Sequence, residues 1–177
     1  MAYYRWRSYL RDVAVTCAGS MAMGLGLAML ADMALSKKAQ AFGERQMIED
    51  VAERLIGARV LWARGLTNGC EENLLGFYHP ARRRVVMCER NLDNSIPKML
   101  TTLRHETWHA AQHLCNGNRA VLSDERLRRG MSGADKRILR SGYKPKDQRL
   151  EAEARVIGKL PTKNFIDGVR HYCRHRT

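Results

Sequence analysis

The sequence predicts an α+β domain: a small antiparallel β-hairpin or sheet at one edge of a helical bundle, with one helix buried between. Three observations predict it. Apolar residues recur at helical spacing in three stretches, residues 43–59, 98–114 and 147–160. Between the first two lies LLGFYHPARRRVVMC, two short aromatic or β-branched runs around a proline, the pattern of a hairpin. An uncharged apolar run stands apart at the N-terminus. At 177 residues the chain suits one domain with a real core but not two. The expected division is residues 1–41, an address or anchor, and residues 42–177, the folded domain.

Arg5, Arg7 and Arg11 precede the apolar run Val13–Leu30, and Ala39-Gln40-Ala41 follows it. A basic start, an apolar stretch and an A-x-A site are the parts of a secretory signal peptide, with Phe42 as the new N-terminus after cleavage. The run is 18 residues, long for a signal peptide and close to the ~20 that span a bilayer, so an uncleaved anchor is the alternative. The positive-inside rule puts the remainder outside the cytoplasm in either case. A buried core helix is the third reading.

In the remainder, Met47, Val51, Leu55 and Ile56 mark a helix from Gly43 to about Arg59, whose end Gly57 and Gly65 weaken. Residues 66–73 read as a loop. Leu74–Tyr78 and Arg84–Cys88 read as the hairpin strands, with Pro80 in the turn. Residues 89–96 are a polar connection. Pro97 opens the next helix, where its missing N–H costs nothing, with Ser95 as cap. That helix carries Met99, Leu100, Leu103, Trp108, Ala111 and Leu114 and ends at Asn116-Gly117. Short helical pieces fill residues 117–145. A further helix covers residues 147–160 and stops at Pro161, and a last one covers residues 164–172.

Four cysteines remain beyond the apolar run, which contains Cys17. An even count in an exported chain suggests two disulfides. Four cysteines allow three pairings, and sequence does not choose among them. The expectation is Cys70–Cys88 across the hairpin and Cys115–Cys173 tying the C-terminus to the central helix, against four reduced thiols in the cytosol. The absence of a C-x2-C pair argues against a cysteine zinc site.

The formal net charge is +13. Such a balance suggests an anionic partner, such as a membrane surface, a cell-wall polymer or an acidic protein. A nucleic-acid partner is disfavoured, because Lys and Arg are scattered and aromatic residues are sparse. The plain alternative is that the charge only maintains solubility. The densest cluster, Arg82-Arg83-Arg84, falls at the hairpin turn. No repeat or low-complexity tract is visible.

The central helix contains His105-Glu106-Thr107-Trp108-His109, an H-E-x-x-H motif. Residues four apart share one helical face, so two imidazoles there can bind one Zn2+ at about 2.0–2.1 Å. Glu106 projects beside the ion, placed to act as general base on a zinc-bound water and to return the proton to a leaving amine. With only six His in the chain, a chance match is about a one-per-cent event. A third ligand is needed, and RLEAEARVIGKLP offers Glu151 and Glu153.

These residues resemble the zincin metallopeptidases of the gluzincin branch, in which H-E-x-x-H on one helix is completed by a Glu in E-x-x-A on a later helix. Glu151-Ala152-Glu153-Ala154 matches that pattern, with Glu151 as ligand and Ala154 as the small residue against the active helix; Glu153 is the second candidate. The resemblance implies a minimal zincin fold over residues 70–160, a Zn2+ cofactor held by His105, His109 and Glu151, and a peptide or protein substrate paired to an edge strand. Where many gluzincins place an Asp after the ligand Glu, this chain has Arg155. A metzincin would need a third His at position 115, which is Cys115. His113, one turn beyond His109, reads as a polar residue near the helix end. Tyr143, Tyr172 and His171 are candidate oxyanion donors. The alternative function is a non-catalytic, exported or membrane-associated binding or assembly protein on the same scaffold; a nucleic-acid binder is the third reading.

Overall fold

A computed structural model describes residues 33, 35–65 and 69–174. The chain divides into two units, Met1–Gln40 and Ala41–Thr177. In the first, the described residues 33 and 35–40 are helical. The apolar run of residues 13–30, expected as a signal peptide or anchor, lies outside the described residues. Among those described, no helix is long and apolar enough to cross a membrane.

The second unit is α+β. Residues 41–50 form a helix that loosens into a π-helical turn, Val51–Ile56; we call this element α1. Gly57, at φ 79°, ends it in the left-handed conformation that glycine tolerates without strain. Three strands follow: β1 (Arg59–Ala63), β2 (Gly76–His79) and β3 (Arg84–Cys88). Five helices complete the unit: α2 (Ile96–Asn116), α3 (Asp124–Gly130), α4 (Gly133–Gly142), α5 (Pro145–Gly158) and α6 (Thr162–Tyr172).

The expected hairpin is present as β2 and β3, antiparallel, with Phe77 opposite Val86. Pro80 opens its turn, and Arg83 closes it with a left-handed φ of 47°. The sheet is mixed rather than purely antiparallel, in the order β1-β3-β2, because β1 pairs parallel to β3. The sequence pattern ends the first helix at about Arg59 and assigns no strand to residues 59–63. The chain breaks at Gly57 instead, and Val60, Leu61 and Trp62 find strand partners more than 20 residues away. The run VVMC of β3 does not alternate because both of its faces are covered. Val85 and Met87 join the main core under α2, while Val86 and Cys88 pack with Ala63 and Cys70 on the far side.

α2 is the central helix and packs against the sheet, α1, α5 and α6. Its buried face includes Leu100, Leu103, Ala110 and Ala111. Ser95 occupies the N-cap position but makes no side-chain cap bond, so its expected capping role is not observed; Pro97 opens the first turn as expected. Gly117 closes the helix at φ 56°. α5 begins at Pro145 and ends two residues before the expected boundary. The two expected disulfides are formed, Cys70–Cys88 and Cys115–Cys173. Two disulfides mark a chain that folds in an oxidising compartment.

Candidate metal centre

α2 places His105 and His109 on one face, with their rings edge to face and centroids 4.7 Å apart. Their Nε2 atoms are 3.2 Å apart. α5 crosses this face and brings Glu151 to them: Oε2 lies 3.1 Å from His109 Nε2, and Oε1 lies 3.4 Å from His105 Nε2. Donors around a tetrahedral ion with bonds of about 2.0–2.1 Å are separated by about 3.3 Å; here one ligand atom from each of the three residues lies within 4.8 Å of the others, close enough to share one ion. Glu151 Oε1 is buried without an aligned hydrogen bond, although Arg155 Nε is 2.9 Å away, and such an orphaned acceptor is what a bound cation would satisfy. Burial works against the Glu151 charge, but the two imidazoles outweigh it and hold the carboxyl well below its usual range. Burial also works against a charged His109, yet Glu151 and Glu106 raise its pKa overall.

Two glycines set the approach of the flanking elements. A Cβ at Gly158 would meet Thr101 O at 3.1 Å and His105 Cβ at 3.2 Å, so α5 can lie this close to α2 only without a side chain there. Arg104, buried and adjacent to the motif, fastens the crossing. Its Nε donates to Gly158 O at 2.9 Å, and its guanidinium donates to Thr162 Oγ1 at 3.0 Å. On the other flank, a Cβ at Gly76 would sit 2.9 Å from Val86 O and 3.3 Å from Glu106 Cγ. Gly76 thus lets β2 pass over Glu106. Neither glycine carries a motif that would mark it in the sequence.

Glu106 lies beside the ligand cluster, with Oε1 3.9 Å from His105 Nε2. Burial pushes its carboxyl up, against the pull of His105 and His109. It lines a cleft of about 370 Å³ whose walls include Gly76, Phe77 and Tyr78 of β2, an edge strand of the described sheet, together with Tyr143 and His113.

The sequence-predicted residues separate clearly. His105, His109 and Glu151 converge, and among the described residues they are the one His/Cys/Asp/Glu group close enough to share an ion. Glu153, the second ligand candidate, is fully buried elsewhere and faces Trp108, Gln112 and the backbone of Val121 and Leu122. Ala154 is fully buried in the core, as expected. Tyr143 lines the cleft beneath the Arg155 guanidinium. Tyr172 does not: its ring stacks on Trp108, and its hydroxyl donates to Arg119 O at 2.8 Å. His171 is exposed on α6. His113 is more than a polar helix end, because its Nδ1 is 2.9 Å from the Tyr78 hydroxyl in the cleft wall. A separate polar cleft, lined by Glu72, Asn91 and Lys98 among others, contains none of these residues.

No curated protein and no solved structure matches the chain. Residues 63–174 match a family described as Domain of unknown function (DUF8637), a span that contains α2, α5 and every residue of the candidate centre. The match covers more than half of the sequence, and the chain belongs to the DUF8637 family.

Proposed function

We propose that this chain is a zinc-dependent metallopeptidase of the zincin type that hydrolyses peptide bonds outside the cytoplasm, exported or anchored by its N-terminal segment. The observation that carries the reading is the convergence of His105, His109 and Glu151 beside a buried Glu106 at the floor of an open cleft. Zinc, when bound, supplies polarisation of the scissile carbonyl and acidifies water. Glu106 accepts the proton of the attacking water and passes it to the leaving amine. Its burial raises its proton affinity, which suits a group that must both take and return a proton near neutrality. Gly76 and Phe77 of the edge strand β2 line the cleft, the side on which an extended substrate would lie.

The test is zinc content and peptide hydrolysis of the full chain and of Glu106→Gln. The expected result is one zinc per chain in both, with hydrolysis reduced roughly 10²- to 10⁴-fold in the variant. Wild-type protein that binds no zinc refutes the site, and a variant that keeps full hydrolysis refutes the role of Glu106. The net charge of +13 favours a second reading, a zinc-holding binding protein that docks on an anionic surface. Zinc binding with no cleavage of any peptide library member would select it.

A further inference from the structure

We infer that Arg59 and Arg84, with Arg82 and Arg83 of the hairpin turn, form a subsite for an acidic side chain of the peptide bound in the cleft, which makes Asp- or Glu-bearing chains the substrate class. The inference rests on the peptidase reading for the cleavage of that chain, but not for its binding. Side chains alternate along a strand, so the sheet face turned away from α2 can be followed row by row. Leu61, Val86 and Phe77 are register partners and pack in one cluster on that face. Two residues along each strand, the next row on the same face is Arg59, Arg84 and His79. Arg59 N donates to Arg83 O at 3.0 Å, which holds the hairpin turn against this row.

Arg59 and Arg84 stand side by side on neighbouring strands, an arrangement of like charges that destabilises a sheet unless an anion joins it. Among the described residues, no carboxylate forms an ion pair with Arg59, Arg82, Arg83 or Arg84. The other end of the sheet differs: Arg64, just after β1, lies 3.5 Å from Glu89, just after β3. Arg59, Arg82 and Arg83 are exposed and Arg84 is half-buried, so their guanidinium forks are open to a carboxylate from outside the chain. The row also borders the cleft. Phe77 lines the cleft from the same sheet face, and His79 stands between Tyr78 and Pro80, both in the cleft wall. A chain that leaves the cleft past Pro80 meets the turn arginines. Among anionic partners, an acidic peptide fits this surface best. Docking on a lipid surface, or stacking of nucleobases, calls for exposed apolar or aromatic side chains among the cations. The large exposed hydrophobic residues, such as Val121, Ile138 and Tyr143, lie elsewhere, and among the described residues none belongs to the three strands or the hairpin turn.

The experiment is fluorescence anisotropy of the full chain with two labelled decapeptides, one alternating Ala with Glu and one alternating Ala with Gln. It is run at about 0.15 M salt, where exposed charges more than about 8 Å apart are largely screened. Wild type is expected to bind the Glu peptide roughly tenfold more tightly than the Gln peptide. Arg59→Gln with Arg84→Gln should abolish that preference in a protein that melts no lower than wild type, because the change removes a like-charge pair. Arg137→Gln with Arg140→Gln takes the same charge from α4 and should leave the preference intact. Where the peptides are cut, kcat/KM should show the same preference and lose it in the same variant. A Glu preference that survives in the Arg59/Arg84 variant, or that falls as far in the α4 variant, overturns the subsite. Binding to phosphatidylserine–phosphatidylcholine vesicles that needs Arg59 and Arg84, with no preference between the peptides, also overturns it and makes the row a membrane contact. Equal kcat/KM on the two peptides keeps the peptidase reading and overturns the subsite. The expected binding in a protein that cuts no member of a peptide library leaves the subsite standing and sinks the peptidase reading.

Discussion

Asp135 gives the most quantitative test of how the second unit holds α5, the helix that carries Glu151. It lies on α4, where its carboxylate accepts from the Ser132 N–H at 2.8 Å and the Ser132 hydroxyl at 2.6 Å in a capping box. Across the helix boundary it accepts from Lys159 Nζ at 2.5 Å, and Arg155 Nη1 is 3.9 Å away. Burial alone would raise its pKa, but Lys159 and Ser132 outweigh burial and bring it from 3.8 to about 2. The depressed value means that the folded state holds the ionised form more tightly than the open chain does. The difference corresponds to about 2 kcal/mol of folding stability. That contribution is full above pH 3.8 and disappears as pH falls through about 2. Asp135→Asn stands in for the protonated acid, since it keeps the shape and one acceptor but not the charge. Urea unfolding of the two proteins should therefore differ by about 2 kcal/mol at neutral pH, and the curves should converge near pH 2. Other carboxylates titrate in the same range, but they cancel in the difference. A gap under about 0.5 kcal/mol at pH 7, or one that persists undiminished to pH 2, refutes the clamp.

Three further outcomes are expected. Zinc in 100-fold excess over its Kd should stabilise the fold by about 2.7 kcal/mol in thermal melts, reversibly with chelator, and should do little for Glu151→Gln. Gly76→Ala puts a Cβ 2.9 Å from Val86 O, so it should cost about 1–3 kcal/mol in denaturant and lower hydrolysis by lifting β2 from Glu106. The separation of 58 residues closed by Cys115–Cys173 predicts a loss of about 4 kcal/mol when both are replaced by Ser, against about 3 kcal/mol for the 18 residues closed by Cys70–Cys88, read from urea midpoints under oxidising conditions.

The hairpin and α2 were legible because their signals are local. Pro80 and Pro97 mark ends that depend on backbone chemistry alone, and H-E-x-x-H needs only the pitch of one helix. β1 was not legible. Its five residues gain their strand character from pairing with β3, a parallel partner reached across the hairpin, and nothing in RVLWA announces that pairing. Gly76 and Gly158 were equally silent, since a glycine reports a close approach only when the approaching backbone is known. Gln112 could have been suspected: three residues beyond His109, it shares the same helical face and can reach its ring.

The Glu-x-Glu of α5 shows how geometry settles what spacing leaves open. Residues two apart on a helix point about 200° from each other, so Glu151 and Glu153 cannot both face His105 and His109. Whichever carboxylate meets the imidazoles, the other is driven to the opposite side, and here that side is also interior. A buried carboxylate without donors would cost several kcal/mol, so the fold had to bring donors to it. They come from Trp108 and Gln112 on α2 and from the backbone of Val121 and Leu122 just before α3. Glu153 therefore fixes three parts of the chain to one point: α2, the segment that follows it and α5. The same carboxylate sets the Gln112 amide that faces His109. Loss of Glu153 should consequently be felt as lower stability: Glu153→Gln keeps the shape but turns an NH2 group toward donors, and should cost about 1–3 kcal/mol in urea unfolding. A folded variant within about 0.5 kcal/mol of wild type would refute that anchoring.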